Sequence, residues 1–140
     1  MNKLALYGVA YVSTAIVFCV IDFVWLGVIM KDFYKSRLGS MMLEQPNMLA
    51  AGVFYALYVV GIVVFGIKPA LDADDWKKCA MLSALFGFLA YATYDLSNLA
   101  TLKGWSLQLS IIDMVWGAVV TSVAGSAGYF ATRAIERTAA

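Results

Sequence analysis

Histidine is absent from this chain, and proline and cysteine occur only twice each. Without imidazole there is no His-based acid–base catalysis, no His-ligated zinc or haem, and no histidine pH switch. The two cysteines, Cys19 and Cys79, fall deep in the first apolar run and at the start of the third. At about 1.5 Å of rise per residue they lie roughly 20 Å apart across the bilayer, too far for a disulfide, which needs Cα atoms within about 7 Å. Both are expected to be small buried residues. Charge is also scarce: only 14% of the 140 residues are charged, and the net charge is +1. With no basic run, nucleic acid is not an expected partner.

What the chain has is apolar surface. Hydrophobic residues make up 63% of it and the mean hydropathy is +0.81. A soluble domain carries about a quarter charged residues, so too little polar surface is present to face water, and the expected solvent is lipid. Four apolar runs, about 4–30, 48–67, 79–100 and 107–130, reach the length of about 20 residues that a bilayer requires. The first follows a basic start, as in a signal peptide, but it is too long for the apolar region of one and shows no convincing cleavage site. Backbone polar groups in hydrocarbon must be satisfied within the segment, and the runs do not alternate as barrel strands do. The expected fold is an all-α membrane protein, a single integral domain over 1–140. Its four transmembrane helices form an antiparallel bundle.

Between the first two runs, KDFYKSRLGSMMLEQPN mixes charges with Phe33, Tyr34, Leu38, Met41 and Met42. It reads as a short interfacial helix or as an ordinary loop. Pro69 is expected to end the second helix, and the short TLKGWS turn makes the last two helices a hairpin. Lys3, Lys68, Lys77, Lys78, Arg133 and Arg137 fall on one side, against Lys31, Lys35, Arg37 and Lys103 on the other. That balance places both termini in the cytoplasm.

Three acids interrupt the runs. IDFVWLG holds Asp22 late in the first run, IDMVWGA holds Asp113 early in the fourth, and YDLSN holds Asp95 late in the third. In an antiparallel bundle all three lie roughly 8–11 Å below the same interface. The two ID-x-V-W stretches are chemically alike but sit at opposite ends of their helices, which argues for convergence on one layer rather than duplication. Tyr55 of the second run falls in that layer. Phe18, Asp22 and Trp25 share a helical stripe, as do Tyr91, Asp95 and Asn98. So do Asp113, Gly117 and Val120, with Thr121 and Gly125 adjacent. Small residues at four-residue spacing allow close helix approach.

An Asp at mid-span costs about 2.5–3.5 kcal/mol, less nearer the interface. No Lys or Arg lies within the runs. The acids must therefore be protonated, hydrogen-bonded to Tyr, Asn or Trp, or bound to a cation, and at least one is expected to carry a proton near neutral pH. Two readings follow: a ligand, ion or reaction site, or a polar cluster that only pins helix packing. Asp22, Asp95 and Asp113 are the candidate catalytic residues, and together the candidate ligands of any hard divalent cation. Tyr55, Tyr91, Tyr94, Asn98, Trp25 and Trp116 are candidate substrate-binding residues. For Trp25 anchoring at the interface competes with that role, as core packing does for Trp116. Trp76 and Trp105 are expected interface anchors.

FVWLGVIMKDFYKSRLG, Pro46-Asn47, KPAL, YATYDLSNLATLKGW and IIDMVWG, taken together, resemble the small bacterial membrane proteins of the domain of unknown function 2177 family, over essentially the whole chain. The resemblance implies a bacterial four-helix inner-membrane protein and no established activity. The family's genes look like neighbours of photolyase-like and membrane-lipid-modifying genes, which implies lipid or isoprenoid chemistry. Three functions stay open. One is an enzyme or accessory factor binding or modifying a lipid or isoprenoid, with an Asp as general acid and ring faces toward a cationic intermediate. The second is a proton- or cation-coupled transporter or channel subunit, which four helices would serve best as a homo-oligomer. The third is a scaffold whose acids fix helix register.

Overall fold

A computed structural model describes residues 2–139. Four helices long and apolar enough to span a membrane form the bundle: α1 (Lys3–Ile29), α3 (Met48–Ala73), α4 (Trp76–Thr101) and α5 (Leu107–Ala139). Between the first two lies a short helix, α2 (Lys31–Leu38), which settles the choice over residues 31–47 in favour of a helix. No strand occurs among the described residues.

Each long helix starts where a polar side chain accepts one of the N–H groups that the first turn leaves unpaired. Asn2 accepts from Ala5 at 2.7 Å and Asn47 from Ala50 at 3.1 Å. Asp75 accepts from Lys77 at 3.0 Å and the Ser106 hydroxyl from Leu109 at 3.0 Å.

Two helices differ from expectation. α3 does not stop at Pro69. Over Val63–Ile67 it widens into a π turn, in which the Lys68 N–H reaches back five residues to the Val63 carbonyl. Pro69, with no N–H to offer, then sits in the first turn of the α-helical stretch that follows. The helix ends instead at Asp74, which takes left-handed backbone angles (φ 51°), with the Arg133 guanidinium on the Leu71 carbonyl and the Asp74 carboxylate. α1 closes in a second π turn, Trp25–Ile29.

α5 is the central element: 39% of its apolar window is buried, against 17% in α1 and 22% in both α3 and α4. α4 and α5 pack most intimately, as the spacing of small residues predicts. A side-chain carbon at Gly87 would run into the Gly117 carbonyl and Thr121, and one at Gly117 would run into the Tyr91 ring. α1 buries Ala10, Thr14, Phe18 and Asp22 at four-residue steps. Cys19, one position off that stripe, is exposed, contrary to expectation, whereas Cys79 is buried; both are free thiols.

The packing of α3 is uneven. From its π turn onward it lies close against α4 and α5, with Gly66 against Ser83. Before the π turn its backbone leans on α1, and it reaches α4 and α5 only near the turn, through Tyr58 on Thr121 and Gly61 against Phe86. A wedge therefore opens at the end of the bundle where α2 lies.

Forcing a side chain into the tightest crossing tests this packing. Gly87→Val should cost about 1–3 kcal/mol as overpacking. Gly52→Ala, where nothing lies within 4 Å of the added carbon, should be neutral or stabilising through helix propensity. Thermal unfolding midpoints in detergent measure both, and equal midpoints would contradict the crossing.

Candidate functional site

The wedge is a cavity of about 880 Å³. Its walls come from every helix. Cys19, Phe23 and Leu26 of α1 and Met48, Ala51 and Phe54 of α3 line it, and most of these are exposed apolar side chains. Tyr91 and Tyr94 of α4 and Leu109 and Trp116 of α5 form the far wall, with Trp105 from the turn between them. Lys31, Tyr34 and Leu38 of α2 close the end. These three share one helical face, at spacings of three and four residues.

Asp22 and Asp113 sit in the lining, only 4% and 8% exposed. Asp22 accepts from the Tyr55 hydroxyl on Oδ2 and from Trp116 Nε1 at 3.1 Å on Oδ1. Asp113 Oδ1 accepts from the Tyr34 hydroxyl at 2.8 Å. Tyr34 accepts in turn from Trp25 Nε1 at 3.2 Å. Burial is the main influence holding the Tyr34 hydroxyl above its ordinary pKa, and the Asp113 charge adds to it against the Trp25 hydrogen bond. Tyr34 is thus a neutral donor to Asp113. The two halves join through the indoles of Trp25 and Trp116, stacked at 4.1 Å between centroids and 4° between planes.

Asp95 differs from both. It is wholly buried (0% exposed) and neither carboxyl oxygen has a hydrogen-bond donor. The Asp113 carboxyl lies beside it, close enough for the two to interact directly. Two ionised carboxylates have no hydrogen to share, so this pair is unsatisfied until a proton or another positive charge joins it.

Asp22, Asp113, Tyr55, Tyr91, Tyr94 and Trp116 thus come together around one cavity. Three other candidates stand differently. Asp95 sits behind Asp113 rather than in the lining. Trp25 stacks on Trp116 and donates to Tyr34, outside the lining. Asn98, three residues beyond Asp95, is half-buried and outside the lining. The three aspartates do not meet at one point: among the described residues no three His, Cys, Asp or Glu side chains could hold one metal ion. Trp76 is exposed and packs against Phe130. Trp105, expected at the interface, lines the cavity and donates to Ser110 at 2.9 Å.

Tyr34 and Lys31 were the residues hardest to foresee. Their signal was the shared face of Lys31, Tyr34 and Leu38, but a face becomes a site only when the partner wall is known.

Removing one hydroxyl tests the chain of bonds. Tyr34→Phe leaves Asp113 Oδ1 and Trp25 Nε1 without their partner, which should cost about 1–3 kcal/mol. Amide hydrogen exchange over residues 31–38 should speed up, while Ser36→Ala on the exposed face should not change it. Unaltered exchange in Tyr34→Phe would mean that α2 is held by other contacts.

No curated protein and no solved structure matches the chain. A family model described as "Predicted membrane protein (DUF2177)" matches residues 7–130, which takes in most of α1, all of α2, α3 and α4, and most of α5. The chain belongs to the DUF2177 family of predicted membrane proteins.

Proposed function

We propose that the protein binds, and through its acid pair modifies, a lipid-soluble ligand of the lipid or isoprenoid kind. The ligand enters sideways from the bilayer, past the exposed apolar side chains that α1 and α3 contribute to the cavity. The observation that carries this reading is the cavity itself. Its volume of about 880 Å³ falls in the range of about 300–1,000 Å³ usual for small-molecule sites. Its mouth is made of exposed apolar side chains on two membrane-spanning helices, where a lipid chain can leave the bilayer without crossing water. Its depth carries carboxyls and aromatic rings, the combination that orients the polar end of an amphiphile.

The acids divide the work in this reading. Asp22, fully engaged by Tyr55 and Trp116, is a fixed acceptor. With one proton between them, Asp95 and Asp113 form a proton donor facing the ligand through Asp113, in a site where little water competes. Tyr34 holds Asp113 in place and ties it to α2. α2 lies over the ligand's polar end, at the membrane surface.

The charge balance of the loops supports a plasma-membrane topology with both termini in the cytoplasm. The wedge and α2 then face the outer leaflet.

Two measurements test these proposals. Total lipids are compared by mass spectrometry among cells lacking the protein, cells expressing it, and cells expressing Asp113→Asn at equal membrane abundance. A lipid or isoprenoid species should change with the wild type and revert with the variant. Identical profiles in all three would remove the modification, and absence of any co-purifying lipid from the isolated protein would remove binding. For topology, Lys103→Cys should react with a membrane-impermeant maleimide on intact cells and Lys77→Cys only after lysis. The reverse pattern would invert the assignment.

A further inference from the structure

Resting on that reading of the cavity, we infer that its ligand carries a positively charged polar end: the site takes an amphiphile with an ammonium head.

The charge inventory points there. Asp22 and Asp113 line the cavity and Asp95 lies directly behind Asp113. The lining holds one basic side chain, Lys31, which is exposed at the rim on α2. Arg37, on the same helix, is held by Gln108 and lies over the Phe33 ring at 4.9 Å. Among the described residues no basic side chain is paired with Asp22, Asp95 or Asp113.

The donors point the same way. An anionic head needs N–H and O–H groups aimed at it. Here Tyr55 and Trp116 already donate to Asp22, Tyr34 to Asp113, and Trp105 to Ser110. The Tyr91 and Tyr94 hydroxyls in the lining have no partner among the described residues and could donate, but they are neutral; the charge that the site presents inward is carboxylate, set among ring faces. A phosphate would meet like charge at the floor, whereas an ammonium would meet carboxylates and the faces of Tyr91, Tyr94 and Trp116, which attract cations in a dry site.

Even with one proton shared, the Asp95–Asp113 pair keeps a net negative charge in a buried layer, and this is the independent sign that a positive charge is missing. A wholly buried carboxyl with two unbonded oxygens beside a second carboxyl is an expensive arrangement for a structural cluster. It is a fitting one for a site that a ligand's positive charge completes.

Cys19 supplies the reporter, since it is exposed and lines the mouth, while Cys79 is buried. The purified full chain in maltoside micelles is treated with a neutral maleimide in the presence of dodecylamine, dodecanol or dodecyl phosphate. Cys19 should be protected by the amine with at least about tenfold tighter apparent affinity than by the phosphate, a difference of about 1.4 kcal/mol. Asp22→Asn and Asp113→Asn should each abolish that preference. Labelling of Val12→Cys in a Cys19→Ala background, on the lipid-facing side of α1, corrects for the charge each additive gives the micelle. Phosphatidylethanolamine titrated in parallel tells a zwitterionic lipid headgroup from an amine that bears no phosphate, and protection by either supports the inference. Equal protection by all three dodecyl probes overturns it and leaves the lipid-site reading standing. So does a phosphate preference lost in Lys31→Ala. Protection by none removes both. The comparison of probes on wild-type protein needs no variant to fold.

Discussion

Two carboxylates held in a low-dielectric layer without a basic residue to neutralise them are the constraint around which the bundle is arranged. Each buried Asp in a span carries a penalty of about 2.5–3.5 kcal/mol near mid-helix. Here the penalty is offset by neutral donors drawn from separate helices: Tyr55 of α3 and Trp116 of α5 on Asp22 of α1, and Tyr34 of α2 on Asp113 of α5. The stacked pair Trp25–Trp116 joins the two halves. These bonds fix the rotation of α1 and α5 and bring α2, a helix too short to be stable alone, onto the end of the bundle.

The cavity follows from the opposite end of α3. From Tyr58 through the π turn α3 lies against α4 and α5, where Tyr58 shares a 2.8 Å hydrogen bond with Thr121, Gly61 meets Phe86 and Gly66 meets Ser83. The other half leans on α1 instead. Tyr55 and Phe54 then stand away from the far wall, and the space between is too wide for their side chains to fill. A straight α3 packed uniformly on small residues would have no wedge. The π turn is therefore part of the site, although it lies outside it, in keeping with the frequent occurrence of such turns near functional centres.

Much of this was legible in the residues. Run lengths gave four spans, and antiparallel order put Asp22, Asp95, Asp113 and Tyr55 at one depth, because depth depends only on counting 1.5 Å steps from an interface. The burial of Phe18, Asp22, Gly117 and Val120 followed from stripes. What was not legible depends on rotation and on neighbours. Trp116 turns to donate to Asp22 and to stack on Trp25, which no single-helix pattern reveals. Trp25 read as a candidate binding residue or an interface anchor, and neither reading names the indole of Trp116 on which it stacks. Pro69 read as a stop because the widening of the turn before it leaves no mark in composition. Asn98 shared a stripe with Asp95 but lies past the wedge.

The three acidic positions are not equivalent, and the difference bears on whether the layer is structural or functional. A cluster that served only to pin helices would gain from full satisfaction, since a half-satisfied polar network is worse than an apolar core. Asp22 fits that description, with both oxygens engaged. Asp95 does not: it is the most deeply buried of the three acids and has no donor, and the group beside it carries the same charge. Nor is the cavity an accident of loose packing, since the same helices meet at Gly87 and Gly117 with no room for a single added carbon. The fold packs α4 on α5 that tightly and, one to two turns away, leaves an unsatisfied carboxyl pair at the edge of an aromatic-lined space.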